Sequence, residues 1–104
     1  MKDDRIYLRH IHDSIGHILN YTSGGAAEFQ QNTQIQDAVI RNLEIIGEAV
    51  KHLSDDLRIS NPEISWKQIA GMRDELIHEY FGVDMGIVWN VIEYHLPKKL
   101  PPLT

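Results

Sequence analysis

TQIQDAVIRNLEIIGEAVKHLSDDL, residues 33–57, is the stretch whose reading decides the fold. Within it Val39, Leu43, Ile46, Val50, Leu53 and Leu57 follow one another at steps of four, three, four, three and four. At about 3.6 residues per turn that spacing stacks the side chains on one face of an α-helix, as a helix in a bundle requires. The pattern predicts one long helix from Thr33 to about Leu57. Gly47 stands beside Ile46 in this stripe. It would weaken an isolated helix by about 1 kcal/mol relative to alanine, so its presence predicts a close approach by another backbone.

The rest of the chain repeats the same period. Ile6, His10, Ile11, Ile15, Ile18 and Leu19 recur at helical spacing and predict a helix from Asp3 to about Tyr21, its N-terminal end favoured by Asp3 and Asp4. Thr22–Gly25 is a stop and turn signal, followed by a short helical piece, AAEFQQ. After Pro62 a third long helix is predicted from about Ser65 to Tyr80, closed by Phe81 and Gly82. A fourth is predicted from Asp84 to His95, carrying Ile87, Val88, Val91, Ile92 and Leu96 before the tail PKKLPPLT. No segment has the strand period, none repeats another, and none reads as a linker. The expected architecture is a single all-α domain over residues 1–104, an antiparallel bundle of four to five helices.

Composition narrows the chemistry. A chain of 104 residues with 42% hydrophobic and 24% charged residues suits one ordinary globular core. It has no cysteine, which removes thiol catalysis, disulfides and thiolate metal sites. No apolar run approaches the ~18 residues of a membrane span and MKDDRIYLRH lacks a signal-peptide core, so the cytoplasm is the expected compartment. The net charge of −5 is unlike that of a protein binding nucleic acid through a broad basic surface. No Lys or Arg falls between Arg9 and Arg41, and residues 73–84 hold four acids against one arginine.

That acidic stretch begins RDELIHEYFG, residues 73–82. On a helical wheel Trp66, Ile69, Leu76, Ile77 and Tyr80 fall within roughly 60° of Arg73, which places the arginine in the apolar stripe. A guanidinium there needs a partner. Either an acid of the preceding long helix, Glu44 or Glu48, supplies it, or Arg73 borders a cleft and awaits an anion. His78, five residues on, lies about 140° around the helix with Asp74 at i−4 and Glu75 at i−3. It is either a solvated histidine beside two acids or one member of a groove completed by a second subunit, in which Asp74 orients its imidazole for proton transfer.

Arg73 to Tyr80 is R-x4-H-x-Y, and it resembles the signature of the HepT-like ribonucleases of the HEPN superfamily, found in two-gene HepT–MNT toxin–antitoxin modules. The likeness extends to AVIRNLEIIGEAVKHLS at 38–54, PEISWKQIAGMRDELIHEYFGVD at 62–84 and IVW at 87–89, and so to essentially the whole chain. It implies a homodimeric HEPN-type bundle whose motif helices line a shared cleft, and metal-independent RNA cleavage with no cofactor. Arg73 would hold the scissile phosphate, and His78 would act as general acid or base in attack by the ribose 2′-hydroxyl, leaving a cyclic phosphate and a free 5′-hydroxyl. Asp74 would orient His78 or the substrate. Tyr80 matches the tyrosine to which a nucleotidyltransferase antitoxin adds AMP, blocking the cleft by bulk and charge. Arg41, Asn42 and Glu48 fall in the family-like helix and would line the dimer cleft.

The competing class is a non-catalytic interaction module whose dimer serves a nucleotidyltransferase as binding partner or modification substrate. Two further features carry less. His10, Asp13 and His17 share a helix face at i, i+3 and i+7, which could in principle ligate a metal but reads first as a solvated or interface face that needs none. Trp66 and Trp89 read as core or interface anchors before base-stacking platforms, and His12, His52 and His95 as isolated surface residues.

Overall fold

A computed structural model describes residues 3–78 and 84–96, the side chains of 75–78 being outside that description. Helix α1 spans Asp4–Tyr21, α2 Ala26–Gln31, α3 Thr33–His52, α4 Asp55–Ser60, α5 Trp66–His78 and α6 Met85–Asn90, the last continued by a π-helical turn over Val91–His95. No strand occurs among the described residues.

The α3 stripe builds the core as its spacing requires. Val39, Leu43, Ile46 and Val50 are fully buried, joined by Leu53 and by Leu8, Ile11 and Ile18 of α1. Helix α3 lies between α1 and α5, its two largest neighbours. It runs antiparallel to α1: Asp4 reaches Ser54, Tyr7 stacks on His52, and His17 faces Asn42. Advance along α1 is thus matched by retreat along α3.

The long helix expected to reach Leu57 breaks instead at Leu53, where ψ turns to 148°. The cause is Ser54. Its hydroxyl accepts from the Leu57 N–H, capping a new helix whose first turn is acidic with Asp55 and Asp56. Asp4 accepts from both the Ser54 N–H at 2.8 Å and the Ser54 hydroxyl at 2.6 Å, which binds the start of α1 to this corner. The described helices therefore number six rather than four or five. Asp4→Ala is expected to cost about 1–2 kcal/mol by removing two charge-assisted hydrogen bonds, measurable by urea unfolding of the variant.

Two other elements shift from expectation for reasons of packing. On α1 the buried face is Leu8, Ile11, Ser14 and Ile18, whereas Ile6 and Leu19 are exposed, because α3 covers only one side of the helix. On α6 Asp84 caps the first turn as expected, accepting from the Gly86 N–H at 2.7 Å, but Ile87 faces outward while Val88, Ile92 and Leu96 are buried. The short α2 ties this end to the core. Phe29 is fully buried and meets the Trp89 ring at 5.3 Å, and Gln36 of α3 donates to the Phe29 carbonyl at 2.9 Å. Gly25, with φ of 91°, makes the turn into α2, a conformation that favours glycine. Trp66 is buried at the start of α5 and its indole N–H donates to the Asn61 carbonyl at 3.0 Å, so both tryptophans pack within the bundle.

Candidate active site

Gly47 is where α3 and α5 meet most closely. A Cβ on Gly47 would lie 2.1 Å from the Arg73 Cβ and 3.3 Å from its Cα, so only glycine admits this approach. The contact carries the root of the Arg73 side chain onto the face of α3. The residue one helical position past Gly47 is then in reach: Glu48 Oε2 lies 3.2 Å from Arg73 Nη2. The other guanidinium edge faces its own neighbour, Arg73 Nη1 donating to Asp74 Oδ1 at 3.1 Å. Lys51, one turn beyond Gly47, donates to the same Asp74 oxygen.

The four residues form a line of alternating charge, Glu48, Arg73, Asp74 and Lys51, across the junction of two helices. His52 extends it, with Nε2 3.3 Å from Glu48 Oε1. Arg73 is the most enclosed member, its side chain 27% exposed against about half for each of the two carboxylates. The acid that the sequence offered as a partner, Glu48, is thus engaged, and Asp74 is a second.

Lys51 first, and Arg73 second, hold the Asp74 carboxyl below the usual aspartate range by hydrogen bonding to its charged form. A carboxyl lowered in the folded state adds stability that is complete above the unfolded pKa and lost as pH falls through the folded one. The contribution should therefore fade only at pH below about 4. In a carbon-detected NMR titration the Asp74 carboxyl should show a midpoint below the ordinary value, and Lys51→Ala should move it upward.

Arg73 opens onto a groove of about 400 Å³ whose wall includes Arg41, Glu44, Glu48, His52, Tyr7 and His10. Of the residues expected in a cleft between two subunits, Arg41 and Glu48 line this groove of the single chain, and Asn42 does not. Asn42 is buried between α1 and α3, where its side chain donates to the Ala38 carbonyl at 2.8 Å and its oxygen lies 3.3 Å from His17 Nδ1. Position 42 falls one residue around the helix from Arg41, enough to turn it from the groove into the α1 interface. His78 ends α5, on the same helix as Arg73. Its side chain and the whole of Tyr80 lie outside the described residues.

His10, Asp13 and His17 go separate ways: His10 sits edge-on to Tyr7, Asp13 is near His12, and His17 turns to Asn42. Among the described residues no three His, Cys, Asp or Glu side chains form a metal-binding group. Sequence reading missed three residues here. Lys51 was recoverable, since Gly47 marks the face that meets α5 and Lys51 follows at i+4 on that face. Tyr7 and His52 had no such signal, because their stacking depends on how α1 crosses α3.

An all-α bundle of this kind, with α3 packed between α1 and α5, is a HEPN-type helical domain. The Ribonuclease HepT-like family model matches residues 11–101, and the chain belongs to the HepT-like ribonuclease family. It is 48% identical over 98 residues to a Methanocaldococcus jannaschii protein named gamma-glutamylcyclotransferase and putative RNase, the match covering 93% of this chain and 44% of that protein. The chain thus spans less than half of that relative's length. A putative RNase of Caldanaerobacter subterraneus subsp. tengcongensis is 43% identical over 99 residues, covering 94% of this chain and 88% of the relative. The probable ribonuclease HepT of Thermococcus cleftensis is 44% identical over 92 residues, covering 88% and 84%. No solved structure matches the chain significantly. Among the described residues no helix is long and apolar enough to cross a membrane.

Proposed function

We propose that this chain is an endoribonuclease, a single HepT-like domain acting as the toxin of a two-gene module, with its active cleft formed between two copies. The observation that carries the reading is Arg73: a half-buried guanidinium placed on the edge of a groove by a glycine contact, on the same helix as His78. In this reading a substrate phosphate displaces Glu48 from Arg73, which then balances the charge that grows on the phosphoryl oxygens. The ribose 2′-oxygen forms a bond to phosphorus as the bond to the 5′-oxygen breaks. The 2′-hydroxyl proton leaves to a base and a proton is delivered to the departing 5′-oxygen. His78 serves one or both of these transfers, and two copies in one cleft would supply two imidazoles. The products are a 2′,3′-cyclic phosphate and a free 5′-hydroxyl.

Asp74, already held ionised by Lys51, is placed one helical turn before His78 and would orient its imidazole. Arg41 and Glu48 line the groove from α3. Tyr80, two residues beyond His78, is the residue a nucleotidyltransferase antitoxin would modify with AMP, closing the cleft to RNA by bulk and repulsion. The cytoplasm is the compartment in which such a module works.

The test is cleavage of single-stranded RNA by the purified protein in excess chelator. Wild type should cleave, and His78→Ala should lose at least about 100-fold in rate, the usual scale for a removed general acid or base. Residual cleavage equal in both would assign the activity to a contaminant. A second reading is favoured by one observation, that both edges of the Arg73 guanidinium face carboxylates as in a structural ion pair. There the chain is an interaction module presenting Tyr80 to a nucleotidyltransferase, and neither His78→Ala nor Arg73→Ala would change the fate of any RNA.

A further inference from the structure

Next to Arg73 the groove changes character. Tyr7 of α1 and His52 of α3 stack with ring centroids 5.0 Å apart and planes only 13° from parallel, and His10 sits edge-on to Tyr7 at 6.2 Å. All three rings line the groove into which Arg73 projects. Tyr7 is partly buried against the core, so it is fixed in place, whereas His52 is about half exposed. Arg41, further back along α3, also lines the groove, its side chain largely exposed with Glu44 at 3.9 Å.

A stack of flat rings and a guanidinium on one groove, with only the Glu48 carboxylate between His52 and Arg73, matches the two halves of a nucleotide. Bases of single-stranded RNA are held by aromatic faces, and their phosphates by arginine. A space of about 400 Å³ is in the range of pockets that take one small ligand. The acids suit the same occupant, since a carboxylate repels phosphate but accepts hydrogen bonds from the amino groups of a base.

We infer that the Tyr7–His52 ring pair is a base-stacking subsite that holds one unpaired nucleotide of an RNA strand, its phosphate directed toward Arg73. The inference rests on the ribonuclease reading for the direction of the strand, but it is tested by binding and not by turnover. It makes Tyr7 a specificity-determining residue that selects unpaired over duplex RNA, because a base must leave its helix to reach the rings.

The probe is a 2′-O-methyl RNA tetranucleotide, which lacks the attacking hydroxyl, titrated into the full chain by NMR and calorimetry. Binding should shift the ring protons of His52 and Tyr7 upfield. Tyr7→Leu, which keeps apolar packing, should weaken affinity about tenfold, and Tyr7→Phe, which keeps the ring, by no more than about twofold. Replacing one nucleotide at a time by an abasic unit should locate a single position at which the Tyr7→Leu loss disappears. Thermal melts of both variants establish that they are folded. Equal affinity of a folded Tyr7→Leu, or ring protons unmoved at saturation, overturns the subsite. If the tetranucleotide binds at the rings and RNA is not cleaved, the subsite stands and the ribonuclease reading falls. If RNA is cleaved with the same KM by wild type and Tyr7→Leu, the reverse holds.

Discussion

Arg73→Ala is expected to slow RNA cleavage by about 10²–10³-fold, the cost of removing one preorganised donor to a developing oxyanion, while leaving the helical content unchanged. The separation of the two effects follows from exposure. Glu48 and Asp74 are each about half exposed, so both can return to water when the guanidinium is gone, and Lys51 still holds Asp74. A change of less than about 1 kcal/mol in stability is therefore expected alongside the loss of rate. Arg73→Lys restores the charge but not the paired donors, so it should recover only part of the lost rate. Single-turnover rates in chelator, measured beside urea unfolding curves, check both parts. Cleavage by Arg73→Ala at the wild-type rate would reduce the arginine to a structural ion pair.

Gly47→Val is expected to destabilise the protein by about 3 kcal/mol and to lower Tm by more than about 10 °C for a domain of this size. The added Cβ would meet the Cβ of Arg73 at 2.1 Å, which is the root of a side chain fixed to the α5 backbone and not a free end that can swing aside. Helices α3 and α5 must then separate, opening the packing of Ile46 and Val50 against the buried face that carries Trp66 and Ile69. Gly47→Ala suffers the same clash but gains about 1 kcal/mol of helix propensity, so its loss should be smaller. Gly71 supplies the control, because a Cβ there meets nothing within 4 Å. Gly71→Ala should be neutral or stabilising by up to about 1 kcal/mol. If Gly47→Val melted with wild type, the close approach would not exist.

How much of this was legible in advance depended on distance along the chain. The four-three spacing of Val39, Leu43, Ile46 and Val50 reports on neighbours within one helix, and it marked the buried face correctly. Gly47 pointed to a backbone contact without naming its partner, and the wheel put Arg73 in a stripe that needed an acid. The same spacing misled at Leu53. A stripe continues through a break when the next helix packs on the same core, and the capping signal of Ser54 with Asp55 and Asp56 had to be weighed against it. Ile6, Leu19 and Ile87 are apolar at helical spacing yet exposed, because periodicity counts residues and not the width of the neighbour that covers them.

The all-α class, the existence of the main helices and the helix carrying Arg73 and His78 were determined by sequence alone, since each rests on interactions between residues a few positions apart. Only the tertiary structure decided that Arg73 pairs with Glu48, that Lys51 holds Asp74, that Asn42 is buried on the α1 side, and that Tyr7 meets His52. Each of those pairs joins two different helices or turns on which face of α3 meets which neighbour. A rotation of α3 by one residue, about 100°, would have exchanged its partners while leaving the bounds of every helix unchanged.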